Sequence, residues 1–128
     1  NLFNDNIAIE TKIYLLHKIA GIQDKKNMLK LASKLIYENN SLLTFELEKY
    51  IGDILSDYLD PNEFIGFTEE IFEDYKLVGM LYPVVRVLEE NGFKEKANSI
   101  VKSWLEIYPT DENLILLNDY LNIDSKVQ

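Results

Sequence analysis

Apolar residues along this chain recur at intervals of three and four, the spacing that gathers them on one side of an α-helix. The pattern predicts a first helix from about Asp5 to Ala20, with Ile9, Ile13, Leu16 and Ala20 on one stripe and Gly21 closing it. Asp24 can cap a second helix that carries Met28, Leu29, Leu31, Ala32, Leu35 and Ile36, and Asn39, Asn40 and Ser41 break the chain after it. A third helix runs to about Leu59, with Leu43, Leu47, Tyr50, Ile51, Ile54, Leu55 and Tyr58. The fourth has the sharpest start. Asp60 is a good N-cap, Pro61 sits at the first helical position, and Glu63 can reach back to the cap's free N–H. Phe64, Phe67, Ile71, Phe72 and Tyr75 form its stripe. Gly79 reads as a turn, and a fifth helix covers roughly Met80 to Glu90, which puts Pro83 in its first turn where proline is tolerated. Asn91 and Gly92 end it, Gly92 being suited to the left-handed residue that follows a helix. A sixth helix holds Ala97, Ile100, Val101, Trp104, Leu105 and Ile107 until Pro109 stops it. Thr110 caps a seventh, with Leu114, Leu117 and Leu121, and Asp124 to Gln128 are expected to fray.

Seven helices with short links imply antiparallel neighbours, and the pattern repeats faintly. Shifting back 33 residues from the sixth helix puts Phe64 in the place of Ala97, Ile71 in that of Trp104 and Gly52 in that of Val85. A further 36 residues back, Met28 and Leu35 take the same places. The helices therefore pair as one with two, three with four and five with six, and the seventh is left over.

A two-helix unit with a period near 34 residues resembles the tetratricopeptide repeat. The best match is residues 81–109, with a glycine at the inner turn, the small residue Ala97 early in the second helix, and Pro109 closing the unit. Ile51-Gly52 in the middle unit resembles the family's Leu-Gly pair. Met28 and Phe64 stand where a small residue is expected in the other two units, and neither unit ends in proline. The resemblance implies an all-α fold of three antiparallel helical hairpins, stacked as a short right-handed α-solenoid with a C-terminal capping helix. The alternative is an irregular helical bundle. The whole chain, 1–128, is expected to be a single helical-repeat domain, and its first residue, Asn1, suggests that it was cut from a longer chain.

Composition narrows the function classes. Apolar residues make up 47% of the chain, too many for a disordered segment. With no cysteine, disulfides, thiolate zinc sites and cysteine nucleophiles are excluded. No apolar run approaches the roughly 20 residues needed to span a bilayer, and no leader is visible, so a cytoplasmic protein is expected. The net charge of −9 equals that of residues 44–74 alone, where Lys49 faces ten acids. Nucleic acid needs a cationic footing that this chain lacks. The acidic segment reads first as a solvated face.

Catalytic patterns are missing. His17 is the sole histidine, and no serine has a base at an activating spacing. Glu69, Glu70, Glu73 and Asp74 share a helical face but read more simply as solvated carboxylates than as a cation site. Asp60 to Ile71 fails as a calcium loop, because Phe64 and Ile65 occupy the positions of a ligand and the obligatory glycine. No enzyme activity, cofactor or metal is expected. The expected role is a protein- or peptide-binding module.

In the resembled family the first helix of each pair lines a concave groove. Carried over, its matched positions are Ile13, Lys49 and Tyr82, then one turn on His17, Asp53 and Arg86, with Tyr14 and Tyr50 beside them. The candidate partner-binding set is thus Tyr14, His17, Lys49, Asp53, Tyr82 and Arg86. Lys49 with Asp53, and Tyr82 with Arg86, are one turn apart and offset by 33 residues, so a regular stack sets the two pairs side by side. Two other roles compete: the ligand-sensing helical part of a larger regulator, and an acidic inhibitor or immunity-type protein acting through residues 44–74.

Overall fold

A computed structural model of the chain describes residues 8–22 and 24–123. Among them are seven helices and no strand: α1 (Ile9–Gly21), α2 (Lys25–Asn39), α3 (Phe45–Tyr58), α4 (Pro61–Asp74), α5 (Val78–Glu90), α6 (Lys94–Ile107) and α7 (Glu112–Leu121). A single 3-10 turn, Asn40–Leu42, joins α2 to the approach of α3. The all-helical class and the number of helices are those that the periodicity predicts. Among the described residues, no helix is long and apolar enough to cross a membrane.

The caps explain where each helix begins. Ala8 is extended, so α1 starts at Ile9 rather than at Asp5, which lies outside the described residues, as do Asp124 to Gln128. Asp24 accepts from the Asn27 N–H at 3.2 Å and opens α2. Thr44 accepts from the Leu47 N–H at 3.2 Å and opens α3, which leaves Leu43 as a buried extended residue ahead of the helix. Asp60 and Glu63 form the expected capping box, with Glu63 Oε1 accepting from the Asp60 N–H at 3.1 Å. The cap of α7 is Asp111, not Thr110: its carboxylate accepts from the Leu114 N–H at 3.1 Å. Gly92 takes the left-handed conformation after α5, with φ of 83°.

The largest departure is at α5. It starts at Val78, so Gly79 is helical and buried rather than a turn, and Pro83 lies in the second turn rather than the first. Both residues are there because of α3. A Cβ at Gly79 would lie 2.1 Å from the Phe45 carbonyl oxygen, and one at Gly52 would lie 2.4 Å from Pro83 Cγ. Each helix thus contributes one glycine to the other's closest approach, and the proline ring fills the space that Gly52 leaves open. Glu48 reaches across and accepts from the Gly79 N–H at 2.9 Å, satisfying a donor in the first turn of α5 that has no partner within its own helix. The pairs Glu48–Gly79, Gly52–Pro83 and Asp53–Arg86 advance together along both chains, so α3 and α5 run parallel.

The remaining helices pack around this pair. α1 lies against α2 and α3, while α5 also touches α4, α6 and α7, and α7 lies along α6. Met28, Phe64 and Ala97, at the matched place in α2, α4 and α6, are all fully buried despite their different sizes. Trp104 is buried too, edge-on to Phe72 at 4.8 Å between ring centres, and ties α6 to α4. One polar pair lies off the apolar stripes: Lys12 is buried and donates to Asn39 Oδ1 at 3.2 Å.

The glycine account gives opposite outcomes for one substitution at two helical positions. Gly79→Ala is expected to cost about 3 kcal/mol or more, because the obstructing atom is backbone and cannot swing away. Gly66→Ala, in α4 with nothing within 4 Å of the added Cβ, is expected to stabilise by about 0.5–1 kcal/mol. Urea unfolding of both variants checks the pair.

Candidate functional site

One face each of α3, α5 and α7 meets at a common cleft of about 430 Å³. Four of the six candidate residues meet there: Lys49 and Asp53 from α3, Tyr82 and Arg86 from α5. The 33-residue offset holds as a direct contact, since Arg86 Nη1 donates to Asp53 Oδ1 at 3.0 Å. Arg86 Nη2 also donates to Ser56 Oγ at 2.6 Å, and Ser56 donates to the Asp53 carbonyl at 3.0 Å. Asp53 is thereby paired across helices rather than with Lys49 one turn back.

Tyr82 is a pin between helices. Its ring stands edge-on to Phe45 of α3 at 5.2 Å, and its hydroxyl donates to the Asn113 carbonyl of α7 at 2.6 Å. Burial, with Asp111 nearby, pushes that phenol up from its ordinary range. The hydroxyl that looked available for a partner is used to seat α7.

Tyr14 and His17 lie outside the cleft. His17 Nδ1 shares a 3.2 Å hydrogen bond with the Tyr50 hydroxyl, joining α1 to α3. Tyr14 is exposed, with the Lys18 ammonium 5.2 Å from its ring centre. The cleft therefore spans α3, α5 and α7, with α7 in the place that α1 held in the predicted groove over α1, α3 and α5.

The wall on α7 is what the sequence reading missed. Leu116 and Tyr120 line the cleft and are 61% and 56% exposed, so large apolar surface is left uncovered. Pro83, Val85 and Leu117 make the floor, and Glu89 stands on the rim two turns beyond Tyr82. Among the described residues, neither Lys49 nor Glu89 forms an ion pair. A signal was present in the sequence: Leu114, Ile115, Leu116 and Leu117 are a continuous apolar run, and one helix face can bury only half of it.

The acidic segment is largely spent on internal contacts. Glu48 caps α5, Asp53 pairs with Arg86, and Glu63 takes both the Asp60 N–H and Lys25 Nζ, the latter at 3.1 Å. Glu69 meets Lys96 at 3.6 Å, and Asp74 accepts from the Tyr37 hydroxyl at 2.5 Å. That bond pushes the Tyr37 phenol up to about 12. Among the described residues, no group of three or more histidine or carboxylate side chains is placed to hold a metal ion. In comparisons with known proteins the chain matches no family model, no curated protein and no solved structure.

Two carboxylates give opposite pH signatures. Burial pushes Glu48 above the ordinary 4.5, the Gly79 N–H opposing it. The folded chain then holds this proton more tightly than the unfolded chain, so ionised Glu48 carries a cost that vanishes in acid. The Asp60 N–H and Lys25 pull Glu63 below the same ordinary value, so ionised Glu63 stabilises the fold until the pH falls through its lowered range. Glu48→Gln is expected to be at least as stable as the parent near neutral pH, with the difference gone below about pH 4. Glu63→Gln is expected to be less stable near neutral pH and to converge with the parent in acid. Thermal melts across the pH range check both.

Proposed function

We propose that this chain is a non-catalytic module that binds another protein or a peptide in the cleft over α3, α5 and α7. The observation that carries the reading is the uncovered apolar wall of Leu116 and Tyr120, facing a charged rim across an open cleft. An apolar anchor site rimmed by charge is the usual anatomy of a protein-binding surface. In this reading α1–α2, α3–α4 and α5–α6 are three hairpins stacked in a short tetratricopeptide-like right-handed superhelix, capped by α7. The recurrence of contacts at separations of 31 to 33 residues, at Glu48–Gly79, His17–Tyr50, Asp53–Arg86 and Tyr82–Asn113, supports that stacking. The lack of cysteine suits a cytoplasmic setting. The competing role as an acidic inhibitor is weakened by the internal use of the carboxylates of residues 44–74.

Two variants test the site against a partner recovered by pull-down. Leu116→Asp puts a charge on the exposed wall and is expected to weaken capture at least tenfold, on the order of a lost interface anchor. Asp53→Arg combined with Arg86→Asp keeps the ion pair while reversing its direction across the cleft, and is expected to weaken capture as well. Both should leave the melting temperature within a few degrees of the parent. Full capture by the Leu116→Asp variant contradicts the assignment.

A further inference from the structure

The two sides of α5 meet their neighbours differently. Towards α3 it lies at glycine distance, with Gly52 against Pro83 and Gly79 against the Phe45 carbonyl. Towards α7 it leaves the cleft of about 430 Å³. Yet the two sides share a spacing. Glu48 meets Gly79, and Gly52 meets Pro83, at a separation of 31 residues, and Tyr82 meets Asn113 at that same separation. Asn113 thus sits on α5 in the register that α5 keeps on α3, and the gap beside it is not a slip of register.

The 33-residue offset identifies what differs. It matches Gly52 with Val85, Gly79 with Glu112 and Pro83 with Leu116. Each glycine that admits the approach of α3 and α5 is therefore replaced, at the next interface, by a residue with a Cβ. Phe45 opens α3, and its match Val78 opens α5. In the geometry of the α3–α5 contact, a Cβ at the place of Gly79 lies 2.1 Å from the Phe45 carbonyl oxygen. Glu112 carries such a Cβ, so α7 cannot come as near to Val78. Two helix backbones approach this closely only where glycine leaves the space open, and Val85 is β-branched, with little freedom to swing aside. The result is visible at Leu116. Its match Pro83 is buried against Gly52, whereas Leu116 is 61% exposed and shares the cleft with the buried Val85.

We infer that the side chains of Val85 and Glu112 hold α7 off α5 and so create the cleft, which makes them the residues that set the width of the site. The importance of that width for binding rests on the cleft being the binding site; the wedge itself does not.

The chain has no cysteine, so Leu116→Cys supplies a single thiol on the exposed wall. Its rate of alkylation by iodoacetamide reports how open the wall is. Tyr14→Cys, exposed on α1 away from the cleft, serves as the reference thiol. Adding Val85→Gly and Glu112→Gly to Leu116→Cys is expected to let α7 close on α5 and to slow alkylation at least fivefold relative to the reference in the same background. Circular dichroism verifies that the variant folds. Val85→Ala alone removes two methyl groups while keeping a strong helix former, and is expected to slow the reaction at least twofold should the double glycine variant not fold. An unchanged or faster rate in the folded variants overturns the inference. The binding role of the cleft is judged separately, with the double glycine variant that retains Leu116 and a partner recovered by pull-down. Capture should fall at least tenfold, and slowed alkylation with full capture leaves the wedge standing while contradicting the cleft as the binding site.

Discussion

The structure depends on the close parallel approach of α3 and α5. Two glycines allow it, Gly52 opposite Pro83 and Gly79 opposite the Phe45 carbonyl. A Cβ at either place would push the helices apart, and the rest of the central packing follows from its absence. At this separation Glu48 reaches the Gly79 N–H, and Asp53 and Ser56 fall level with Arg86. Tyr82 then has room to rest on Phe45 and to extend its hydroxyl to α7. The cleft is the surface consequence of that alignment: two parallel helices held by glycine contact, and α7 joined to them by a tyrosine pin.

Much of this was legible in the sequence. The helix periodicity gives the seven elements, and the burial of Ala97 and Trp104 agrees with the register of the α5–α6 unit. The 33-residue offset between Asp53 and Arg86 becomes an ion pair. What was not legible came from residues whose local and tertiary meanings differ. Gly79 and Pro83 look like punctuation, because glycine and proline most often interrupt helices. Here the glycine is inside a helix to admit a neighbour, and the proline ring is the neighbour's counterpart. Thr110 and Asp111 are both good caps, and the tertiary position of α7 chooses between them. The outer face of α7 is hard to read in the sequence because the run Leu114 to Leu117 is apolar throughout, so nothing in its period separates the buried Leu114 and Leu117 from the exposed Ile115 and Leu116.

Charge tells a similar story. A segment holding one lysine and ten acids invites reading as a surface for a basic partner. In the fold five of these ten carboxylates serve as helix caps or as ties from α3 and α4 to their neighbours, at Gly79, Arg86, Lys25, Lys96 and Tyr37. A charge run on helices that are packed on two sides is partly a structural device, and composition alone does not separate this use from an exposed patch. The exposed apolar surface lies elsewhere, on Leu116 and Tyr120 of α7, with Lys49 and Glu89 lining the same cleft.

Backbone hydrogen exchange of the chain, alone and with a partner recovered by pull-down, tests the central claim most directly. The account predicts that binding slows exchange in α3 from Lys49 to Asp53, in α5 from Tyr82 to Glu89 and along α7 around Leu116 and Tyr120, while α2, α4 and the outer side of α6 exchange as before. Protection confined to α2 and α4, or to α1 around Tyr14 and His17, would place the partner on another face and contradict it.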